Sequence, residues 1–181
     1  NGYSKFNNQV DEFGNLYFIE VTPGTNDHNV LKKMNSQGNI VWENNLTEGQ
    51  FAIEWGLNAQ FKLRNNFLYV CHSAYDTSIW VEDPKDPKQT ESRDIYSIYL
   101  TKFDLSGNLI FNEKYKPIQN RSINIKKLQS FDVDNNSNII MGGINRYFNS
   151  AFDPDSSIRI QNFLFKVDSA GIPQWEYEYT P

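Results

Sequence analysis

One ten-residue phrase occurs three times in this chain, and this repetition limits the possible folds more than any other feature. The phrase reads KMNSQGNIVW from residue 33, KFDLSGNLIF from residue 102 and KVDSAGIPQW from residue 166. Each copy contains Lys, an apolar residue, Asn or Asp, two spacers, Gly, three further residues and a large aromatic. The copies start 69 and 64 residues apart. Such a period is typical of an array of similar supersecondary units.

Each copy of the phrase predicts a β-hairpin. Alternating apolar segments precede it, at residues 29–33, 95–102 and 161–166, and a second alternating run follows it each time. Two period-2 runs around a glycine-containing turn are the sequence signature of a hairpin. We therefore expect the glycines of the three turns to supply a positive φ; they are Gly38, Gly107 and Gly171.

A second hairpin is predicted upstream of the first in every unit. It turns at residues 11–15 in the first unit, near 64–66 in the second and at 134–138 in the third. Each unit then has four strands, and the units span residues 1–46, 47–117 and 118–181.

Composition agrees with strands throughout. Aromatic residues make up 15% of the chain, and flat rings pack well on a pleated surface. Apolar residues with a sustained helical period are almost absent, so we expect little or no helix. The prediction is an all-β, β-propeller-like domain of three four-stranded antiparallel blades.

The repeat also resembles that of a known family. In the first unit it appears as D-x-x-G-N-x-Y, with Asp11, Gly14, Asn15 and Tyr17, and then as K-x-N-x-x-G-N-x-x-W, with Lys33, Asn35, Gly38, Asn39 and Trp42. This pattern is similar to the repeat of bacterial secreted β-propeller proteins, of the type found in surface and exported proteins of Bacteroidota. The resemblance covers essentially the whole chain and implies a propeller fold at an extracellular or cell-surface location. The sequence departs from the family pattern at Phe111, which replaces the final Trp, and at Ile172, which replaces Asn. Because such repeats occur in proteins with many functions, the resemblance implies no activity.

Three blades do not close a propeller ring, since known rings use roughly four to eight. An isolated set of three would leave an apolar blade face uncovered at each end. We therefore expect further blades, either from a longer parent chain or from a second copy of this one. A six-bladed ring made by two copies is the simplest closed form.

Charge, hydropathy and cysteine content argue against nucleic-acid binding, membrane insertion and an internal disulfide. The net charge is −5 and the basic residues are scattered, whereas binding to nucleic acid needs a basic stripe. No apolar run approaches the roughly 18 residues that cross a membrane, so membrane insertion is not expected. The single cysteine, Cys71, rules out a disulfide within the chain.

The connections inside the second and third units, residues 74–94 and 145–159, are much longer than the predicted turns. Long loops on a uniform scaffold are where binding residues collect. Their aromatic and acidic residues are the candidate binding site: Tyr75, Asp76, Trp80, Glu82, Asp83, Tyr147, Phe148, Phe152, Asp153 and Asp155. Rings beside carboxylates suit a protein or glycan partner. The alternative is that these rings fold back over the blade edges.

Metal binding and catalysis have little support in the sequence. The stretch DVDNNSN resembles a calcium loop in placing oxygen side chains at Asp132, Asp134 and Asn136, but it lacks the required glycine and the bidentate Glu. An ordinary turn is the preferred interpretation, and calcium is the alternative. The two histidines lie in different units without partners at ligand spacing, so no metal site and no catalytic residue is predicted.

The first functional interpretation is a non-enzymatic scaffold or interaction module that binds a protein or glycan through the long loops on one propeller face. One alternative is a propeller-fold glycoside hydrolase that uses separated carboxylates drawn from Glu54, Asp76 and Asp153. Another is a structural subunit of a larger surface assembly or filament. The repeated lysines, Lys33, Lys102 and Lys166, are interpreted as structural, because a functional site usually breaks the symmetry of its scaffold.

Overall fold

The computed structural model describes residues 8–22, 28–46, 60–82, 86, 88, 90–116, 124–147 and 159–179. Within these residues every regular element is a β-strand, and none is a helix. The all-β prediction is therefore confirmed for this part of the chain. The described residues also contain no helix long and apolar enough to cross a membrane.

The strands fall into three groups of four, called units 1 to 3 below. Unit 1 contains β1 (Gln9–Val10), β2 (Leu16–Thr22), β3 (His28–Met34) and β4 (Ile40–Asn45). Unit 2 contains β5 (Gln60–Arg64), β6 (Phe67–Glu82), β7 (Thr90–Asp104) and β8 (Leu109–Tyr115). Unit 3 contains β9 (Asn124–Val133), β10 (Ile139–Tyr147), β11 (Arg159–Val167) and β12 (Pro173–Tyr179).

Within each unit, consecutive strands pair antiparallel in a simple up-and-down order. Unit 1 forms a sheet of its own, whereas units 2 and 3 join into an eight-stranded sheet. The junction is a single parallel pairing between Tyr96 in β7 and Ile125 in β9. Antiparallel sheets of four strands agree with the sequence prediction, and no closed ring is found among the described strands.

The structure describes six turns that join the first strand to the second or the third to the fourth within a unit, and five of them are built on an Asp or Asn at their first position: Asp11, Asn35, Asp104, Asp134 and Asp168. In each, one side-chain oxygen accepts hydrogen bonds from the backbone N–H groups two and four residues later, at 2.8–3.1 Å. Local side-chain bonds of this kind compete with regular ladders and so favour turns. The first turn of unit 2 differs, because Asn65 and Asn66 turn the chain with φ of 51° and 63°.

The predicted glycine conformations are confirmed. Gly38, Gly107 and Gly171 have φ of 86°, 89° and 85°. A side chain with a β-carbon rarely adopts these angles, which is why glycine follows the Asx residue by three positions. Ser137 takes the same place in unit 3 with φ of 63°.

The units stack face to face, and the strands alternate their side chains between two cores. We call the face of a unit that meets the next unit its forward face, and the opposite face its rear face. In β6, Leu68 and Val70 enter the core shared with unit 1, whereas Tyr69 and Cys71 enter the core shared with unit 3. The middle unit is therefore buried on both faces, in agreement with the continuous apolar run FLYVC at the start of β6.

Two hydrophobic cores hold the stack together. The first joins unit 1 to unit 2 and contains Tyr17, Ile19, Leu31, Leu46, Phe61, Leu68, Val70 and Phe103. The second joins unit 2 to unit 3 and includes Tyr69, Cys71, Ile98, Leu100, Tyr115, Leu128, Phe131, Ile139, Met141, Phe163, Phe165 and Val167. Each fully buried large apolar side chain contributes about 1.5–3 kcal/mol, so both interfaces are structural.

The structure differs from the sequence prediction between residues 74 and 94. A long loop was expected there, but β6 and β7 continue through most of it as a paired hairpin that runs out to the pair Glu82 and Thr90. The physical reason is the β-branched and aromatic residues on both sides of the connection, which favour cross-strand pairing.

Candidate functional site

The long hairpin of unit 2 is the feature that sets this unit apart from its neighbours. The strands β6 and β7 contain 16 and 15 residues, whereas β2, β3, β10 and β11 contain 7 to 9. The outer part of the hairpin, residues 77–82 paired with 90–95, is called the arm below. The arm carries part of the predicted binding site on strands instead of a loop.

A β-bulge marks the base of the arm. Tyr75 pairs with Tyr96, and the next pair is Thr77 with Ile95, so Asp76 is the extra residue in β6. A bulge bends its strand and increases the local twist, and it changes which residues face each side of the sheet beyond it. The bulge therefore separates the stacked part of β6 from the arm.

Trp80 and Glu82 lie on the arm, and both are exposed. The side chain of Trp80 is 73% exposed, opposite Ser92 in the register. Glu82 is at the end of the described strand, opposite Thr90. Since Trp80 does not fold back against the sheet, the interpretation that the loop aromatics cover the blade edges is wrong for this residue. Asp83 lies outside the described residues.

The other half of the predicted site is in unit 3. The backbone of Tyr147 ends β10, where it pairs with Asn124 and Arg159. Phe148, Phe152, Asp153 and Asp155 lie outside the described residues. Only the first residue of this predicted set can therefore be placed.

The sheet brings the two halves of the predicted site to the same end. Tyr75 pairs with Tyr96, Tyr96 pairs with Ile125, and Ile125 stands next to Asn124, the partner of Tyr147. Two strands thus separate the backbones of Tyr75 and Tyr147 in the order of the sheet.

The proposed calcium loop is a hairpin turn in the structure. One oxygen of Asp134 accepts from the backbone of Asn136 and Asn138, and the other accepts from the Asn138 side-chain amide at 2.8 Å. The Asn138 amide holds the pKa of Asp134 below its usual value. Asp132 pairs with Lys62 at 2.8 Å, and this ion pair lowers its pKa. These bonds support the turn interpretation.

Two of the three repeated lysines, Lys33 and Lys102, form hydrogen bonds to the next unit. Lys33 donates to the carbonyl oxygen of Leu105 at 3.2 Å, and Lys102 donates to that of Ser169 at 3.0 Å. Leu105 and Ser169 directly follow Asp104 and Asp168, which are the first residues of the corresponding turns in the next unit. Lys102 is 5% exposed and lies 4.2 Å from the Phe67 ring centroid, and burial lowers its pKa.

One buried charged pair was not found by sequence reasoning. Lys126 is 1% exposed, contacts the Glu176 carboxylate at 2.5 Å and lies 4.8 Å from each of the ring centroids of Phe163 and Phe165. A buried cation is tolerated only when it is paired and hydrogen-bonded, and Lys126 satisfies both conditions. Its surroundings fit a role in packing strand β9 against β11 and β12.

The other candidate features give weaker support for a functional site. A cleft of about 340 Å³ lies between the first turns of units 1 and 2, but Asp11 at its edge is committed to the turn through Phe13 and Asn15. In the part of the chain that the structure describes, no group of His, Cys, Asp or Glu is arranged to hold a metal ion. Of the acids considered for glycoside hydrolysis, Glu54 and Asp153 lie outside the described residues.

Comparison with known proteins does not add to this picture. No protein-family model matches the chain, and no curated protein is found to be similar to it.

Proposed function

We propose that this chain is a non-enzymatic scaffold made of β-propeller blades, which works outside the cell or at its surface and binds a protein or glycan through the end of the sheet that carries the arm. The observation that carries the proposal is Trp80, a residue that is 73% exposed on a paired strand. A large aromatic side chain that is displayed on a regular element, with a carboxylate nearby, is a typical anchor for a partner.

The scaffold part of the proposal is supported by the up-and-down order of the strands. Each of the three units is a four-stranded antiparallel meander, and the units stack through two apolar cores. Propeller blades are built from units of the same kind, with a repeating framework and variable connections. Among the strands that the structure describes, only β6 and β7 extend well beyond the common length, as expected for an element kept for recognition.

The test removes the arm and keeps the stack. Residues 78–94 are replaced by Asn-Gly, which joins the paired residues Thr77 and Ile95 through a two-residue hairpin turn. The shortened chain, the full chain and a Trp80→Ala variant are applied to a glycan array and to a phage-displayed peptide library. A Leu109→Ala variant is the matched control, because Leu109 is 59% exposed but lies on β8.

We expect the full chain and Leu109→Ala to select the same ligands, and the other two variants to lose them by tenfold or more while they keep the β-sheet circular dichroism spectrum. Selection from the array identifies a glycan partner, and selection from the library identifies a protein. Absence of any ligand for the full chain, or ligands retained after arm removal, contradicts the proposal. Cleavage of an array glycan points instead to the hydrolase.

A structural subunit of a larger assembly is the second candidate function. It is favoured by Leu164 on the forward face of unit 3, which is 40% exposed, whereas Leu31 and Leu100 at the same position of units 1 and 2 are buried.

A further inference from the structure

The two interfaces between units are built from the same positions of the repeat. Tyr17 and Tyr69 occupy equivalent places, because each pairs across the sheet with the lysine of its own unit. In both interfaces that lysine donates to the backbone carbonyl oxygen of the residue that follows the turn Asp of the next unit. The donor is Lys33 in the first interface and Lys102 in the second. The lysine also lies over the equivalent tyrosine ring, at 5.3 Å and 5.4 Å.

The final aromatic of the phrase and the residues after it complete the contact. Trp42 donates to the carbonyl oxygen of Leu105 at 3.1 Å, and Asn44 donates to that of Gly107 at 2.6 Å. In the second interface Tyr115 donates to the carbonyl oxygen of Gly171 at 2.7 Å. Each forward face is therefore a socket for the glycine turn of the following unit.

The turn glycines fit closely into these sockets. A β-carbon at Gly107 would lie 3.0 Å from the Trp42 ring, and one at Gly171 would lie 3.3 Å from the ring of Phe111. At Gly38, the same position in unit 1, no atom lies within 4 Å. Unit 1 thus presents the same turn without a socket around it in the described structure.

Unit 3 presents the complementary half. Its forward face carries Lys166 and Trp175 at the positions of the socket lysine and aromatic, and neither donates a side-chain hydrogen bond within the described residues. Leu164 is 40% exposed, whereas Leu31 and Leu100 at its position are fully buried. Tyr179 is 49% exposed, compared with 7% for Tyr115.

The rear face of unit 1 shows the same incomplete burial. Leu16, Phe18 and Met34 are half-buried. Their counterparts in unit 2, identified by the pairing register, are Leu68, Val70 and Phe103, and these are at most 5% exposed. The apolar positions at the two ends of the stack therefore match those of an interface that the molecule already uses twice. The rear face of unit 1 differs in carrying Lys32, paired with Glu20 and Glu43, at the position of Thr101.

We infer that two copies of this chain associate head to tail, with the turn of residues 35–39 from one copy seated on the forward face of unit 3 in the other. Lys166 donates to the carbonyl oxygen of Ser36, as Lys102 does to that of Ser169. The turn contains no basic side chain, so no like charge opposes Lys166 when the turn is seated. This contact joins unlike surfaces, and it builds either a closed ring or an open chain.

Two substitutions block the two halves separately. Leu164→Lys places a charge at a position that is buried in both internal interfaces, and Ser36→Lys places one beside Lys166. Leu164 is 40% exposed and Ser36 is exposed, so the separate chain tolerates both changes. Leu109→Lys, at a residue 59% exposed on β8, is the matched control. Tyr177→Arg, at a residue 64% exposed, replaces Leu164→Lys if that variant does not fold.

Sedimentation equilibrium on the full chain gives the readout. We expect the unmodified chain and Leu109→Lys to form dimers or larger assemblies that dissociate on dilution, and each blocked variant to remain at 21.1 kDa. An equimolar mixture of the two blocked variants has one intact turn and one intact socket, so it forms a 1:1 dimer and nothing larger.

The inference is overturned if the unmodified chain stays monomeric up to roughly 1 mM, the weak end of specific affinity, or if the mixture does not associate. Assembly by the blocked variants alone also overturns it. Removal of the arm leaves this assembly unchanged, so the result is independent of the proposed recognition site.

Discussion

The hydroxyl group of Tyr115 donates a hydrogen bond to the carbonyl oxygen of Gly171, 2.7 Å away in the next unit and 56 residues along the chain. Tyr115 is 7% exposed and belongs to the core between units 2 and 3. The bond therefore connects the last strand of unit 2 to the final turn of unit 3 inside a packed interface.

Replacing Tyr115 by Phe removes this bond and leaves the ring in place. Because the Gly171 carbonyl loses a buried donor, we expect the free energy of unfolding to fall by about 1–2 kcal/mol. Urea unfolding followed by circular dichroism measures the change. Tyr177→Phe is the control, since Tyr177 is 64% exposed in the separate chain and, at concentrations too low for assembly, changes stability by less than about 0.5 kcal/mol. Equal effects of the two changes would mean that the bond does not stabilise the interface.

The same hydroxyl makes stability sensitive to high pH. Burial raises the pKa of Tyr115 above its ordinary value, and burial together with the hydrogen bond to Asp11 raises that of Tyr17. A raised pKa in the folded state means that the stabilisation is complete below the unfolded pKa near 10 and is lost as pH rises beyond it. We expect stability to fall above pH 10, and the fall to be shallower in Tyr115→Phe. Phenolate absorbance recorded during unfolding at each pH checks this.

At the acid end of the pH range, the Asx turns make stability sensitive to pH. Hydrogen bonds from the side chain and backbone of Asn108 lower the pKa of Asp104. A lowered pKa in the folded state contributes stability above the unfolded value near 3.9, and this contribution is lost as pH falls through the folded value. Asp104→Asn is a natural comparison, because Asn35 builds the same turn in unit 1.

We expect Asp104→Asn to fold normally, with a stability difference from the unmodified chain that is constant above about pH 5 and shrinks at lower pH. Asp104→Ala loses both acceptors of the turn and is less stable than Asp104→Asn across the neutral range. Thermal unfolding between pH 2 and 7 distinguishes these outcomes. A difference that grows as the pH falls would show that the carboxylate does not stabilise the turn.

The parts of this structure that could be predicted from the sequence are those determined by residues close together in the chain. The turns at Asn35, Asp104 and Asp168 could be predicted because an Asx residue and a glycine three positions later suffice to form them. The arm was missed because residues 74–94 were interpreted as a long loop, on account of a length far beyond that of the predicted turns. The pairing of residues 77–82 with 90–95 depends on cross-strand partners, which a single sequence does not show.

Contacts between distant residues could not be predicted at all. Lys126 and Glu176 are 50 residues apart, and nothing in the sequence around either one indicates a buried ion pair. Trp80 could be named as a candidate because an aromatic residue among acidic and proline residues stands out. Its exposure became known only from the structure.

Cys71 offers a probe of the interface between units 2 and 3. It is fully buried, its sulfur lies 3.6 Å from that of Met141, and burial raises the pKa of its thiol. Since the thiolate is the reactive form, we expect no reaction with a disulfide reagent such as DTNB in the native protein at pH 8. The thiol should become fully reactive in urea. Rapid labelling without denaturant would show that the two units separate more readily than their core implies.

The two adjacent glycines of β10 give the sharpest test of packing. The register of β10 against β9 shifts between Gly142 and Gly143, so the strands are irregular at this point. A β-carbon at Gly143 would lie 2.0 Å from the carbonyl oxygen of Lys127 and 2.8 Å from the Phe163 ring. At Gly142 the nearest atom would be a Leu164 methyl group at 3.4 Å, an ordinary contact.

Gly143→Ala therefore forces backbone and ring to move, whereas Gly142→Ala does not. Overpacking of a core that includes backbone atoms costs about 3 kcal/mol, and we expect this loss for Gly143→Ala in urea unfolding. For Gly142→Ala we expect a change of less than about 1 kcal/mol. Since Phe163 belongs to the core that shields Cys71, the Gly143→Ala variant should also react faster with DTNB. Similar stability in the two variants would mean that β9 and β10 are not as close at Gly143 as the register requires.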